Sequence, residues 1–304
     1  YLILKKIIEN ENFSKTGTII YLLYPYLFGQ SLFSPKDVPF MSIWVICTYL
    51  SLKIFERLID KKDISNFNTI LFAFMTSYLL SIRIAGILIF LQYLVTFIIY
   101  LNLTNTNIFY FIKKFYLNLL IFLFGTIVFT IVFYPELWIN PLGVVEVINT
   151  MANHFNNVGT NTYGKIMYST NLPSTYMLIW FSVKLPTIII IGIFLIPFTE
   201  KKIFSSSKKS IYFGSILIST ILIPLVLIFR KVHLYDELRQ VMFLFPLLFI
   251  VGLVSVYTFS NKFFYLTGIL TVALFLVENI KINPYQYVWF NLPSRSIDLT
   301  NKFE

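Results

Sequence analysis

The sequence predicts an all-α polytopic membrane protein of about nine transmembrane helices, on three observations. The chain of 304 residues is 57% hydrophobic and only 12% charged, with a mean hydropathy of +0.77. Soluble domains carry roughly a quarter charged residues. Its apolar residues fall into runs that can cross a hydrocarbon core of ~30 Å. Its lysines and arginines crowd into alternate connections between those runs, an asymmetry that sets orientation in the bilayer.

The runs come in order along the chain. Lys5, Lys6 and Lys15 precede a first span at 16–33, and a second at 38–58 ends in the charged knot ERLIDKKD. Spans at 67–82 and 84–101 are separated only by the Ser81-Ile82-Arg83 turn. Lys113 and Lys114 open the span at 111–134, which delivers a long polar loop at 135–172. The span at 173–198 leads into the basic, serine-rich EKKIFSSSKK. Spans at 211–229, 241–259 and 263–280 come next, and a tail rich in Pro, Asn and aromatics occupies 281–304.

With the N-terminus inside, the cytoplasmic side collects 14 of the 24 Lys and Arg against six acids, and the other side ten against eight. The long loop, Lys36-Asp37, Arg83, His233–Gln240 and the tail then share the extracytoplasmic face. Within the loop, Asn140 and Pro141 read as an N-cap and first helical residue. Val144, Val147, Ile148, Met151 and Phe155 repeat with helical period. This predicts an amphipathic helix lying on the membrane, either a plain connector or part of a site.

Several function classes fall away. The formal charge of +10 comes without a basic patch interleaved with aromatics, so no nucleic acid partner is expected. Cys47 is the single cysteine and the two histidines are far apart, which predicts no disulfide and no metal site. No glycine-rich phosphate loop is present, and no cofactor is expected.

Three constellations mark the extracytoplasmic face. In SPKDVPF, Asp37 sits beside Lys36 between two prolines at a span mouth, where it either caps the next helix or serves as a general base. In HLYDELRQ, Asp236 and Arg239 are three apart, the spacing of an ion pair on one helical face. Lys184 in WFSVKLP lies just inside a span and either snorkels outward or binds an anion. The same alternatives hold for Arg83. Together these residues suit an anionic headgroup and an activated hydroxyl.

The order SPKDVPF, SIRIAG, YPELWINPLG, GKIMYSTNLPSTYMLIW, VKLP, LYDELRQVMFLFP and NPYQYVWFN resembles bacterial family 39-type glycosyltransferases. These belong to the GT-C superfamily of protein O-mannosyltransferases and lipid A aminoarabinose transferases. The resemblance runs from about Tyr21 to Glu304. It implies a single transmembrane domain over 1–304, truncated at both ends, in a bacterial cytoplasmic membrane with its site outside. It implies a polyprenyl-phosphate sugar donor and a hydroxyl acceptor: a lipid, glycan or protein. Asp37 matches the family's second-loop acid, while the first-loop acid would lie upstream. Gln240 departs from the histidine that many relatives carry. The implied roles are donor-phosphate binding for Lys184 and Arg239 with Arg83 behind them, and assistance to the base for Asp37. The amphipathic loop helix would line the acceptor cleft. Trp138, Tyr163 and Tyr168 either stack on sugars or belong to the interfacial aromatic belt. Two rivals are a non-catalytic scaffold subunit and a secondary transporter. Near-absence of charge at mid-span argues against the transporter.

Overall fold

The computed structural model describes residues 1–140, 143 and 157–303. They are mostly helical, with a single short hairpin. Among the described residues, five helices are long and apolar enough to cross a membrane: Asp37–Ile59, Ile84–Thr104, Ile108–Phe133, Ser207–Phe229 and Asn261–Lys281. Asn66–Ile82 and Leu244–Phe259 are apolar but shorter. Local sequence explains their starts. Ser65, Asn107, Ser206 and Ser260 each accept a hydrogen bond from a backbone N–H in the first turn of the helix they precede, satisfying donors that the helix itself cannot.

Two of the expected spans are broken, both at proline. The run at 16–33 is two helices, Glu11–Leu23 and Pro25–Phe33, separated at Tyr24. The run at 173–198 divides into Tyr176–Lys184 and Thr187–Phe194, bent by 119° at Leu185-Pro186. Pro186 has no N–H to continue the ladder and pushes the preceding residue out of helical geometry; Leu185 is accordingly extended. Four successive carbonyls at this break are taken up by other parts of the chain. Asn291 Nδ2 donates to Ser182 O (2.7 Å) and Leu185 O (2.9 Å), and Asn291 N to Val183 O (2.9 Å). The Tyr24 hydroxyl donates to Lys184 O.

The expected amphipathic helix at 144–155 lies outside the described residues. Immediately C-terminal to it is a hairpin that the helical reading missed: Gly159–Thr162 pairs antiparallel with Lys165–Tyr168. Tyr163 and Gly164 both have positive φ at its tip, as a two-residue hairpin turn requires.

Packing ties the helices closely. Gly192 and Gly252 meet where Thr187–Phe194 crosses Leu244–Phe259, so near that a Cβ on Gly192 would overlap the Gly252 carbonyl. Trp44 and Thr48 donate to the buried Gln92 Oε1 at 3.0 and 3.3 Å, joining the Asp37–Ile59 helix to Ile89–Thr104. Charge lies at the two ends of the Asp37–Ile59 helix. At its C-terminal end Lys6 meets Glu56 (2.8 Å) and Lys208 meets Asp60 (2.9 Å). Asp37 begins the other end. A helix of 23 residues separates these clusters by ~34 Å at 1.5 Å per residue. That distance is enough to cross a hydrocarbon core of ~30 Å.

Candidate functional site

At the Asp37 end, segments distant in sequence converge. Asp37 is the first residue of its helix and only 4% exposed. Its side chain makes no cap for that helix. Instead one carboxylate oxygen receives Arg83 Nη1, and the other lies 3.0 Å from Arg239 Nε. The Arg239 contact is an ion pair without hydrogen-bond alignment. Arg83 is delivered by the extended residue that ends Asn66–Ile82. Arg239 opens a 3-10 turn ahead of Leu244–Phe259, and its Nη1 reaches Asp236 at 3.3 Å.

The Asp236–Arg239 pair therefore forms, but not on a helical face. Asp236 and Glu237 are successive left-handed residues, with φ of 52° and 62°. A non-glycine residue there costs of order 1–3 kcal/mol. This conformation turns Glu237 inward while Asp236 stays exposed.

Glu237 meets Lys184. Lys184 Nζ is 3.0 Å from Glu237 Oε1 and 3.4 Å from the Tyr287 carbonyl. The lysine does not snorkel: it is fully buried, its ammonium 4.2 Å from the Phe290 ring centre and 4.9 Å from that of Tyr26. Tyr287, Phe290 and Asn291 of the tail pack against the end of its helix, and its four methylenes do not carry the ammonium past them to water. Burial raises the Glu237 carboxyl above the ordinary carboxylate range, with Lys184 offsetting part of the rise. Glu237 Oε2 and Tyr26 Oη are buried beside this pair without a hydrogen bond of good geometry. Unsatisfied buried atoms of this kind often mark a site that meets a ligand or water.

The remaining sequence-predicted residues are more dispersed. Lys36 is exposed next to Asp37, and Gln240 is half-buried beside Arg239. Trp138 is exposed, and its indole N–H donates to Ile131 O at 2.8 Å. Tyr163 packs edge-on against Phe303 with Lys302 over its ring, and Tyr168 is exposed on the second hairpin strand. The hairpin reaches the lysine helix through Thr162 Oγ1, which accepts from Trp180 Nε1 at 3.1 Å. Sequence reasoning missed Glu237 and Asn291. The first lay in view inside HLYDELRQ, but helical spacing pairs Asp236 with Arg239 and passes over it.

The arrangement is two linked ion-pair groups at one end of the bundle, joined by segment 236–239. It presents two partly exposed guanidinium groups, with a sealed lysine behind them. Comparison of the chain with protein-family models, curated proteins and solved structures gives no match.

Proposed function

We propose that this membrane protein is a glycosyltransferase of the extracytoplasmic face, moving a sugar from a polyprenyl-phosphate carrier to a hydroxyl of a lipid, glycan or protein. The membrane in question would be the bacterial cytoplasmic membrane. The supporting observation is the buried Asp37 carboxylate, held between Arg83 and Arg239 from three separate segments at one end of the bundle. In such a transfer the acceptor hydroxyl attacks the anomeric carbon and the bond to the carrier phosphate breaks. The phosphate leaves with the bonding electrons, and the hydroxyl proton passes to a base. A leaving phosphate needs positive charge and N–H donors more than a proton.

Arg83 and Arg239 have side chains 25% and 39% exposed, and each guanidinium keeps donors that Asp37 does not use. They are the phosphate-binding pair in this reading. Both oxygens of Asp37 face guanidinium groups, so its role is to align them, and the base is another group. Lys184 is committed to Glu237 and holds the 236–239 segment in place. The test is transfer from a short-chain polyprenyl-phosphate sugar in reconstituted vesicles. Arg239→Lys keeps the charge but loses the two-bond fork. It should cost about ten- to a hundredfold in catalytic efficiency, the scale of one charge-assisted hydrogen bond.

A second reading, a non-catalytic scaffold subunit, draws on the same geometry. Every cation in the cluster already has an acid within the chain, so the group is self-compensated without a ligand. Folded protein that neither binds the carrier nor transfers sugar would favour it.

A further inference from the structure

A cavity of about 540 Å³ opens at the opposite end of the bundle, where the Ile196–Ile203 helix and the start of Ser207–Phe229 approach the Phe259-Ser260-Asn261 turn. This size suits a small-molecule site. One part of the lining is apolar, with Ile7, Ile8, Ile203 and Phe259; the other carries Lys202 and Lys209 with Ser260 and Asn261. Among the described residues, no acid lines it. The two lysines differ from their basic neighbours. Lys6 and Lys208 are neutralised by Glu56 and Asp60, whereas among the described residues Lys202 and Lys209 have no acidic partner within ion-pair distance. Glu9 and Glu200 are close in sequence but lie outside the lining.

The cavity therefore joins uncompensated positive charge to an apolar wall, at the end of helices long enough to span a bilayer. The geometry points to a binding site for an anionic phospholipid, its phosphodiester between Lys202 and Lys209 and the start of its acyl chains along Ile8 and Phe259. An apolar wall adds nothing for a free anion, and a zwitterionic headgroup brings its own cation against the lysines. The anionic lipid satisfies both halves of the lining. A basic residue near a membrane surface strengthens anionic-lipid binding roughly fivefold, so the two lysines together should matter by more than tenfold.

The test is native mass spectrometry of the detergent-purified full chain, titrated with phosphatidylglycerol or with phosphatidylcholine of the same acyl chains. Phosphatidylglycerol should bind at least tenfold more tightly. Lys202→Ala/Lys209→Ala should remove that preference, while the equally discharged Lys113→Ala/Lys114→Ala should change it less than twofold. Asn261→Asp keeps both lysines, favours the start of its helix and should weaken phosphatidylglycerol binding by placing an acid in the lining. Equal binding of the two lipids overturns the proposal, as does an equal loss in both double variants. Displacement of the lipid by millimolar inorganic phosphate also overturns it, because the site would then be one for a soluble anion.

Discussion

Replacing Lys184 by Met tests what the buried ion pair does. The substitution fills a similar volume and deletes the ammonium, leaving Glu237 with a side chain only 24% exposed. At 3.0 Å, and with an effective dielectric of about 20, the lost attraction is ~5 kcal/mol before solvent screening. Partial exposure of Glu237 reduces this. The acid also has an escape, because it can protonate at ~1.4 kcal/mol per unit of pKa. A net loss of about 2–4 kcal/mol results, at the lower edge of values for broken buried pairs. For a chain of 304 residues it corresponds to a fall on the order of 3–6 °C in Tm. Glu237→Gln in the same chain removes the stranded charge, so the double variant should recover at least half the loss.

The pH dependence has a definite sign. Burial already raises the Glu237 carboxyl, and loss of the lysine raises it further. A carboxyl raised in the folded state contributes stability below its unfolded value, and that contribution is lost as pH rises through the folded value. The Lys184→Met defect should therefore shrink on acidification from about pH 7.5 toward 5.5. Thermal melts in detergent at both pH values, with transfer assays alongside, read the whole cycle. A single variant as stable as the parent, or a double variant no better than the single, refutes the structural role. Transfer restored in the double variant removes Lys184 from direct contact with the carrier.

Four further outcomes are expected. Gly192→Ala should cost at least ~1–3 kcal/mol, since overpacking against the Gly252 backbone cannot relax by a rotamer change. Gly268→Ala, with only side-chain atoms at 3.4 Å or more, should be neutral or slightly stabilising in melts of both proteins. Asp37→Asn should abolish transfer and also reduce folded protein on size-exclusion chromatography, because it leaves Arg83 and Arg239 mutually repelling. Full abundance with full turnover would remove Asp37 from the site. A cysteine at Asn301 should label with an impermeant thiol reagent in intact cells and one at Ser206 should not, with the buried Cys47 silent in both. Labelling at 206 would reverse the orientation argued from the lysines.

The parts of the molecule that sequence could predict depend on additive properties. Membrane character is a sum over residues, and no local error in element boundaries disturbs it. The meeting of Asp37, Arg83 and Arg239 was accessible because span counting assigns each of them to the same face. Pro25 and Pro186 were equally visible, yet a hydropathy window averages across a break and reports one apolar run. The Tyr163-Gly164 turn escapes such a reading because the helical period of residues 144–155 dominates the loop, and the short strands beside the turn carry little apolar alternation. Glu237 was lost for a different reason. Its inward direction depends on two left-handed residues in succession, which neither Asp nor Glu announces.

The break at Leu185-Pro186 has a mechanical consequence. A bent helix in a membrane usually exposes carbonyls that water must visit, and such a joint can swing. Here Asn291 and the Tyr24 hydroxyl occupy the four carbonyls in a row, and Asn291 Oδ1 is itself fixed by Ser294 N and Oγ at 3.0 and 2.7 Å. Protein groups replace the solvent that would lubricate the bend. The joint is splinted, so the end of the Tyr176–Lys184 helix cannot pivot by itself. Any displacement of Lys184 must carry the chain around Asn291 with it, and force applied to that distant stretch arrives directly at the lysine.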